Sequence, residues 1–510
     1  MQTIIFSDLI SPGYGKNAGA YRIATELRKN GYSCLVVDFF CHYTHEEILK
    51  IVDKFVTSET IWVGFSTTFM LPTMLEDPKK EQNKQGHMFD RMWGSRVTDY
   101  FSAYPAPPEA MKELFQYIKS KSDKVKIVVG GARSMHAQNY DGFIRRVRPD
   151  YFVHGFADVS VVALTRWLDN PSNPSPKFTG RHNNAIDSTN DYDFEHYSTS
   201  SIRYTHQDYV TPNEFLPIEI ARGCIFKCKY CNFSLLGKKR GDYTRTKEAL
   251  IQEFMYNYEM FGTTNYMFMD ETINDSMEKV QFLHDVITSL PFKITWGGYS
   301  RLELFANNPE MAPMLQQTGF AHTFFGIETF NKKSGEAVGK GMHPDKVKGT
   351  LRDLKRVWGD SVRMSAGFIL GLPYDTHQDF TQMKEYFNSD DCSLDAWIMH
   401  ALILADGMPS MFGQDPEKYG YTFKKKESVF QWYRDGMTFD EALAAATDIR
   451  DNTNDKCNMN TWIHMRLQNL GLSKEYVDSL TVTNYLNDID NIHRLKINRK
   501  ERYFDHLMSL

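Results

Sequence analysis

Residues 216–232 run Leu216-Pro-Ile-Glu-Ile-Ala-Arg-Gly-Cys224-Ile-Phe-Lys-Cys228-Lys-Tyr-Cys231-Asn232. A strand-like stretch from Leu216 to Ile220 leads directly into a CxxxCxxC triplet, in a chain with only seven cysteines. Three thiolates converging from one loop can hold a metal centre, one short of a closed tetrahedral site. A [4Fe–4S] cluster normally takes four protein thiolates, so a cluster held by three keeps one iron open to a substrate or cofactor. A structural zinc site is the alternative. It usually pairs two knuckles, and Cys34, Cys41, Cys392 and Cys457 form no second knuckle near this one. Disulfides fit worse, because the spacings are tight and the number is odd. Lys227 and Lys229, set among the cysteines, argue for a solvent-reachable loop.

At 510 residues the chain predicts two or three domains. A formal net charge of −5 points to neither nucleic acid nor an anionic membrane as a partner. The start, Met1-Gln-Thr-Ile-Ile-Phe-Ser, lacks a charged leader, and no apolar run approaches the ~20 residues that span a bilayer. The expectation is a cytoplasmic protein, where thiols stay reduced.

Around the triplet, the chain divides by pattern. Residues 1–170 alternate short apolar runs with amphipathic stretches, predicting a Rossmann-like (flavodoxin-like) doubly wound α/β sheet. Its strands are Ile4–Phe6, Cys34–Phe39, Ile61–Phe65, Lys126–Val129 and Tyr151–Val153, several followed at once by Gly or Ser. Residues 171–211 are rich in Asn, Pro and Ser and read as a connector. Residues 212–405 predict six strands, at 216–221, 264–269, 293–298, 321–327, 364–370 and 396–402, with helices between them. That is a partial (β/α)6 TIM-type barrel, with its site at the C-terminal ends of the strands. Residues 406–510 read as a mainly helical C-terminal region. In it, Trp432, Tyr433 and Trp462 are core residues or line the cavity.

Over about the first 400 residues the chain resembles the radical SAM superfamily, in the branch with an N-terminal cobalamin-binding-like domain. The CxxxCxxC spacing with Tyr230 before the last cysteine carries that resemblance. It implies that Cys224, Cys228 and Cys231 hold a [4Fe–4S] cluster whose fourth iron chelates S-adenosylmethionine. Further matches fall at the ends of later strands. Asp270 and Glu271 stand where a carboxylate accepts the ammonium of S-adenosylmethionine, and Arg301 where relatives carry an arginine near the site. Gly326 and Glu328, in Phe-Gly-Ile-Glu-Thr, match a ribose or methionine contact. Gly367, Ile369 and Gly371 match the run that packs the adenine, with Asp375 in place of the usual Glu.

The resemblance implies reductive cleavage of S-adenosylmethionine and radical chemistry on an unactivated carbon of a small molecule, such as a methyl transfer. It also implies a one-electron reductant such as flavodoxin or ferredoxin. For cobalamin, the usual Asp-x-His-x-x-Gly loop reads Asp8-Leu9-Ile10-Ser11-Pro12-Gly13, and Ile10 cannot ligate cobalt. Either cobalamin binds without a protein ligand, or the domain keeps the fold without the cofactor. The basic stretch Lys238-Lys239-Arg240, with Arg245 and Lys247, is either a charge partner for an anion or a solvated loop. A non-catalytic iron–sulfur or zinc-binding protein is the reading from another class.

Overall fold

A computed structural model describes residues 1–7, 15–66, 108–131, 148–179, 183–188, 193–231, 244–404, 406, 410–424, 431–453, 465 and 467–510. The Asp8–Gly13 loop with Ile10, the Lys238–Arg240 stretch, Cys457 and Trp462 lie outside the described residues.

The N-terminal part builds a six-stranded, all-parallel sheet from β1 (Thr3–Phe6), β2 (Cys34–Val37), β3 (Trp62–Ser66), β4 (Lys126–Gly130), β5 (Tyr151–Gly155) and β6 (Ala185–Ser188). Its order is β2-β1-β3-β4-β5-β6, a doubly wound arrangement with the chain reversing direction at β1. Strands β1 and β2 read as unbroken apolar runs because both faces are covered: every residue of each is buried. Strand β6 falls inside the stretch expected to be a connector. Four residues with one exposed Asp show too little alternation to signal a strand.

The second sheet is also all parallel. It runs in sequence order through β7 (Leu216–Ile218), β8 (Asn265–Phe268), β9 (Thr295–Ser300), β10 (Phe320–Glu328), β11 (Arg363–Leu370) and β12 (Ala396–Ala401). Helices such as Lys247–Phe261, Met277–Thr288, Pro344–Trp358 and His377–Asn388 connect the strands. Among the described residues no pairing joins β12 to β7, so this is an open barrel. Aromatic stacks tie strand to strand and helix to strand: Phe268 of β8 stacks on Trp296 of β9 at 4.0 Å, and Trp397 of β12 on Phe387 of the helix His377–Asn388 at 4.5 Å.

The C-terminal region is split between the two sheets. Before its longer helices it forms a small antiparallel sheet of β13 (Thr422–Phe423), β14 (Trp432–Arg434) and β15 (Met437–Thr438). It packs on the barrel: Trp432 is buried and donates Nε1–H to Leu402 O at 2.6 Å, while Tyr433 is exposed. The helix Ile489–Ser509 returns to the N-terminal sheet. There Tyr503 serves the open edge of β2, donating to Val36 O at 2.9 Å and accepting from Asp38 N–H at 3.2 Å. Among the described residues no helix is long and apolar enough to cross a membrane.

Candidate active site at the barrel mouth

The cysteine loop leaves β7 at the C-terminal end of the barrel and is fastened from several sides. Asp270, just past β8, accepts the Ile220 N–H at 3.0 Å and the Ala221 N–H at 2.9 Å, and pairs with Lys279 at 3.1 Å. Asp270 is 1% exposed, and burial raises its pKa although Lys279 opposes the shift. Both oxygens are therefore engaged. In the structure Asp270 anchors the cysteine loop, a role its sequence position does not announce. Glu271 is half-buried beside it, and its neighbour Thr272 places Oγ1 3.7 Å from Cys224 Sγ. Further along the loop, Lys229 donates its N–H to Val338 O at 3.1 Å and accepts from Phe412 N–H at 3.0 Å.

The three cysteines form no disulfide and are half-buried. Among the described residues no three His, Cys, Asp or Glu side chains converge as a ready-made metal site. The donor set nevertheless suits a thiolate-held cluster, because a cation stands over it. Arg301 Nη1 donates to Cys228 Sγ at 3.5 Å, with its guanidinium 3.9 Å from the Phe226 ring centre. Glu303, accepting from Arg301 Nε at 2.9 Å, orients that cation.

Glu328 occupies the mouth because of a backbone irregularity. The pairing of β10 with β11 shifts register between Gly326 and Glu328, and Glu328 has φ +72°, rare for a residue with a side chain. The bulge aims its carboxylate at Tyr230, whose hydroxyl donates to Oε1 at 2.6 Å, and at Lys340, paired at 2.9 Å. Lys340 also donates to Gly326 O. A Cβ on Gly326 would lie 2.8 Å from Lys340 Nζ, so the glycine makes room for this pair. Burial, then the carboxylate, push the Tyr230 phenol well above its ordinary value, keeping it a neutral donor.

The later glycines have other roles. A Cβ on Gly367 would sit 2.9 Å from Phe324 Cζ, so the glycine leaves room for that ring. Gly371, at φ +91°, lies under Trp432 and accepts the Tyr421 hydroxyl at 2.7 Å. Asp375 accepts from the Gly371 and Leu372 N–H groups at 3.1 and 2.9 Å, closing that turn. Gly367 and Gly371 are thus closely packed against Phe324 and Trp432. Ile369 pairs in register with His400 on β12, near the mouth. Arg245, expected in a solvated or anion-facing run, is buried and pairs with Glu253 at 2.5 Å.

Arg222, two residues before Cys224, ties the loop to the N-terminal sheet. It donates to Asp158 at 2.5 and 3.0 Å and to Glu219 at 3.1 Å, with its guanidinium 4.3 Å from the Tyr197 ring centre. Arg22, from the first helix, donates to Glu219 and to Ser200 Oγ at 2.6 Å. These cations outweigh burial and hold Glu219 down at about 2. Asp158 follows β5 by three residues, so the C-terminal edge of the N-terminal sheet abuts the cysteine loop. That edge is lined by small residues: Ser66, Gly130, Gly131 at φ +103° and Gly155 at φ +76°. Sequence reading missed Lys340, Lys279 and Arg222, whose partners lie 12, 9 and 64 residues away.

A family model described as the Radical SAM superfamily matches residues 218–387, from β7 to the helix after β11. The barrel belongs to that superfamily. Part of the chain is similar to an uncharacterized methyltransferase of Pyrococcus horikoshii. The two are 27% identical over 161 residues, covering 31% of this chain and 33% of the relative. The chain thus spans about a third of that relative's length. In fold, it is similar to the radical S-adenosylmethionine methyltransferase TsrM of Kitasatospora setae, solved with cobalamin and a [4Fe–4S] cluster. The TM-score is 0.58 at 11% identity, over 88% of this chain and 85% of TsrM. It is also similar to the cobalamin-dependent S-adenosylmethionine radical enzyme OxsB, with TM-score 0.54 at 14% identity, over 82% of this chain and 56% of OxsB. The likeness to TsrM takes in the N-terminal sheet as well as the radical SAM domain.

Proposed function

We propose that this protein is a cobalamin-dependent radical SAM enzyme that methylates an unactivated carbon of a small molecule. In this reading Cys224, Cys228 and Cys231 are the cluster ligands, and Glu271, Glu328 and Tyr230 face S-adenosylmethionine. The observation that carries it is the Arg222–Asp158 contact, which brings the glycine-lined edge of the N-terminal sheet against the cysteine loop. Two cofactors held on those two edges would share one reaction space. A bound three-cysteine cluster supplies a single electron to S-adenosylmethionine, and cobalamin a carrier for a methyl group.

The chain's own residues do the positioning. Arg301 sets positive charge beside the thiolates. Lys340 and Tyr230 hold the Glu328 carboxylate at a defined place, where it can accept from the hydroxyl or ammonium groups of a ligand. Tyr299 and Phe324 pack edge to face at 5.4 Å on neighbouring strands and Ile369 is buried on the next, apolar groups that would help to exclude water from reactive species. Electrons would come from a flavodoxin- or ferredoxin-like carrier.

The test is anaerobic reconstitution with iron, sulfide and hydroxocobalamin, then gel filtration. Retained cobalamin, seen by its visible absorption, with 5′-deoxyadenosine or S-adenosylhomocysteine formed under reduction, is expected. A chain that cleaves S-adenosylmethionine but never retains cobalamin is the second reading, favoured by Ile10 at the ligand position.

A further inference from the structure

Strand β12 carries a polar side chain that the positioning chemistry above does not use. Its residues alternate by face. Trp397, stacked on a helix outside the barrel, and Met399 are fully buried, whereas Ile398 and His400 are half-buried and face inward. Space on that inner side opens toward the mouth. At the floor, Met465 is buried against Phe215 and Met267, and a Cβ on Gly297 would come 3.0 Å from its Sδ. Higher up, Tyr299 and Phe324 are only half-buried, although both lie within strands of the sheet. Gly367 pairs in register with Ile398 and touches Phe324, which makes one apolar wall of three strands. His400, paired with buried Ile369, stands at the upper end of that wall.

One ring nitrogen of His400 is tied and the other is open. Nδ1 lies 3.0 Å from Ala401 O, and a carbonyl only accepts, so Nδ1 carries the hydrogen. Nε2 then holds a lone pair, and among the described residues it has no hydrogen-bond partner. Burial lowers the pKa of the imidazole, with the Ala401 carbonyl and the Glu328 charge opposing, so the ring is neutral near pH 7. The Glu328 carboxylate also disfavours an anion beside the ring. A neutral acceptor on an apolar wall selects a neutral donor, because a ligand that covers Nε2 without one leaves it unpaired. We infer that His400 Nε2 accepts a hydrogen bond from a neutral O–H or N–H group of the substrate, whose apolar body lies along Ile398 and Phe324. The inference rests on the enzymatic reading proposed above and names the substrate class for that same site. His400 sets specificity there, with no bond broken and no proton moved at it.

Phenol, anisole and benzoate are the probes: a neutral donor, its methyl ether without the donor, and an anion. Each is titrated into the oxidised, full-length reconstituted protein with S-adenosylmethionine present, and binding is read by ligand-observed nuclear magnetic resonance. Phenol is expected to bind about fivefold more tightly than anisole, with benzoate weaker still. His400→Phe should erase the preference for phenol. His400→Gln, which keeps an acceptor near the position of Nε2, should retain most of it. Affinity for S-adenosylmethionine, measured by equilibrium dialysis, should be the same in both variants, and melting curves check that both fold. No preference for phenol in the parent, an equal preference in His400→Phe, or a preference lost in both variants would overturn the assignment. Loss of S-adenosylmethionine affinity in His400→Phe would also overturn it, by placing the ring against the cofactor. If the parent forms no 5′-deoxyadenosine under dithionite but keeps a His400-dependent preference for phenol, the enzymatic reading fails and the binding assignment stands.

Discussion

Glu328 is the residue on which the mouth turns. Its φ of +72° costs about 1 kcal/mol or more, and the strain persists because Tyr230 and Lys340 both hold its carboxylate. Glu328→Gln keeps the shape and the Tyr230 contact but leaves Lys340 without its charge partner. Affinity for S-adenosylmethionine, measured by equilibrium dialysis, should fall about tenfold, close to 1.4 kcal/mol, with iron content unchanged. Gly371 makes the opposite kind of prediction. Ala at φ +91° under Trp432 is strained and crowded, so Gly371→Ala should lower thermal stability by more than 1 kcal/mol and leave S-adenosylmethionine affinity intact. A cofactor-contacting glycine would show the reverse. The cysteine triplet, Glu328 and Arg301 were legible in sequence because their residue types and order are distinctive. Asp270 was legible as a position but not as a role, since its N–H partners lie about 50 residues back.

Among the elements, all six barrel strands fall within three residues of their expected limits, because each is a clear apolar run between helical patterns. Strands β6 and β13 to β15 escaped notice for being two to four residues long, too short for a period to register. The contact between the sheets was equally hidden: Arg222 next to a cysteine motif looks like one more loop cation. Its buried pairing with Asp158 predicts a large single-site effect. Asp158→Ala leaves Arg222 with Glu219 alone, and should cost about 3 kcal/mol in denaturant unfolding. The double replacement Asp158→Leu/Arg222→Met should cost less than that single change, because no buried charge is then left half-paired. Additive losses would show that the contact is not a coupled pair.

For the whole molecule, the C-terminal chain joins what the pattern of residues suggests is separate. The segment through β15 seals the barrel beside Gly371, and the last helix covers β2 with Tyr503. One group in that seal makes stability depend on pH. Burial lifts Asp375 from its ordinary 3.8 to about 7, with hydrogen bonds and Arg434 opposing. A carboxyl raised in the folded state gives its full contribution below pH 4 and loses it as pH rises through 7. The melting temperature of the parent should therefore fall, relative to Asp375→Asn, between about pH 4 and 7 and run parallel above that window. Parallel curves throughout would contradict the burial of an ionisable group there.

The central claim is that Cys224, Cys228 and Cys231 hold a cluster with one iron open to S-adenosylmethionine. Its most direct test is electron paramagnetic resonance of the anaerobically reconstituted, dithionite-reduced protein, before and after adding S-adenosylmethionine, with iron counted on the same sample. About four irons per chain and a spectrum that changes on addition are predicted, both lost in Cys228→Ala. One zinc per chain, or a full cluster whose spectrum ignores S-adenosylmethionine, would contradict it.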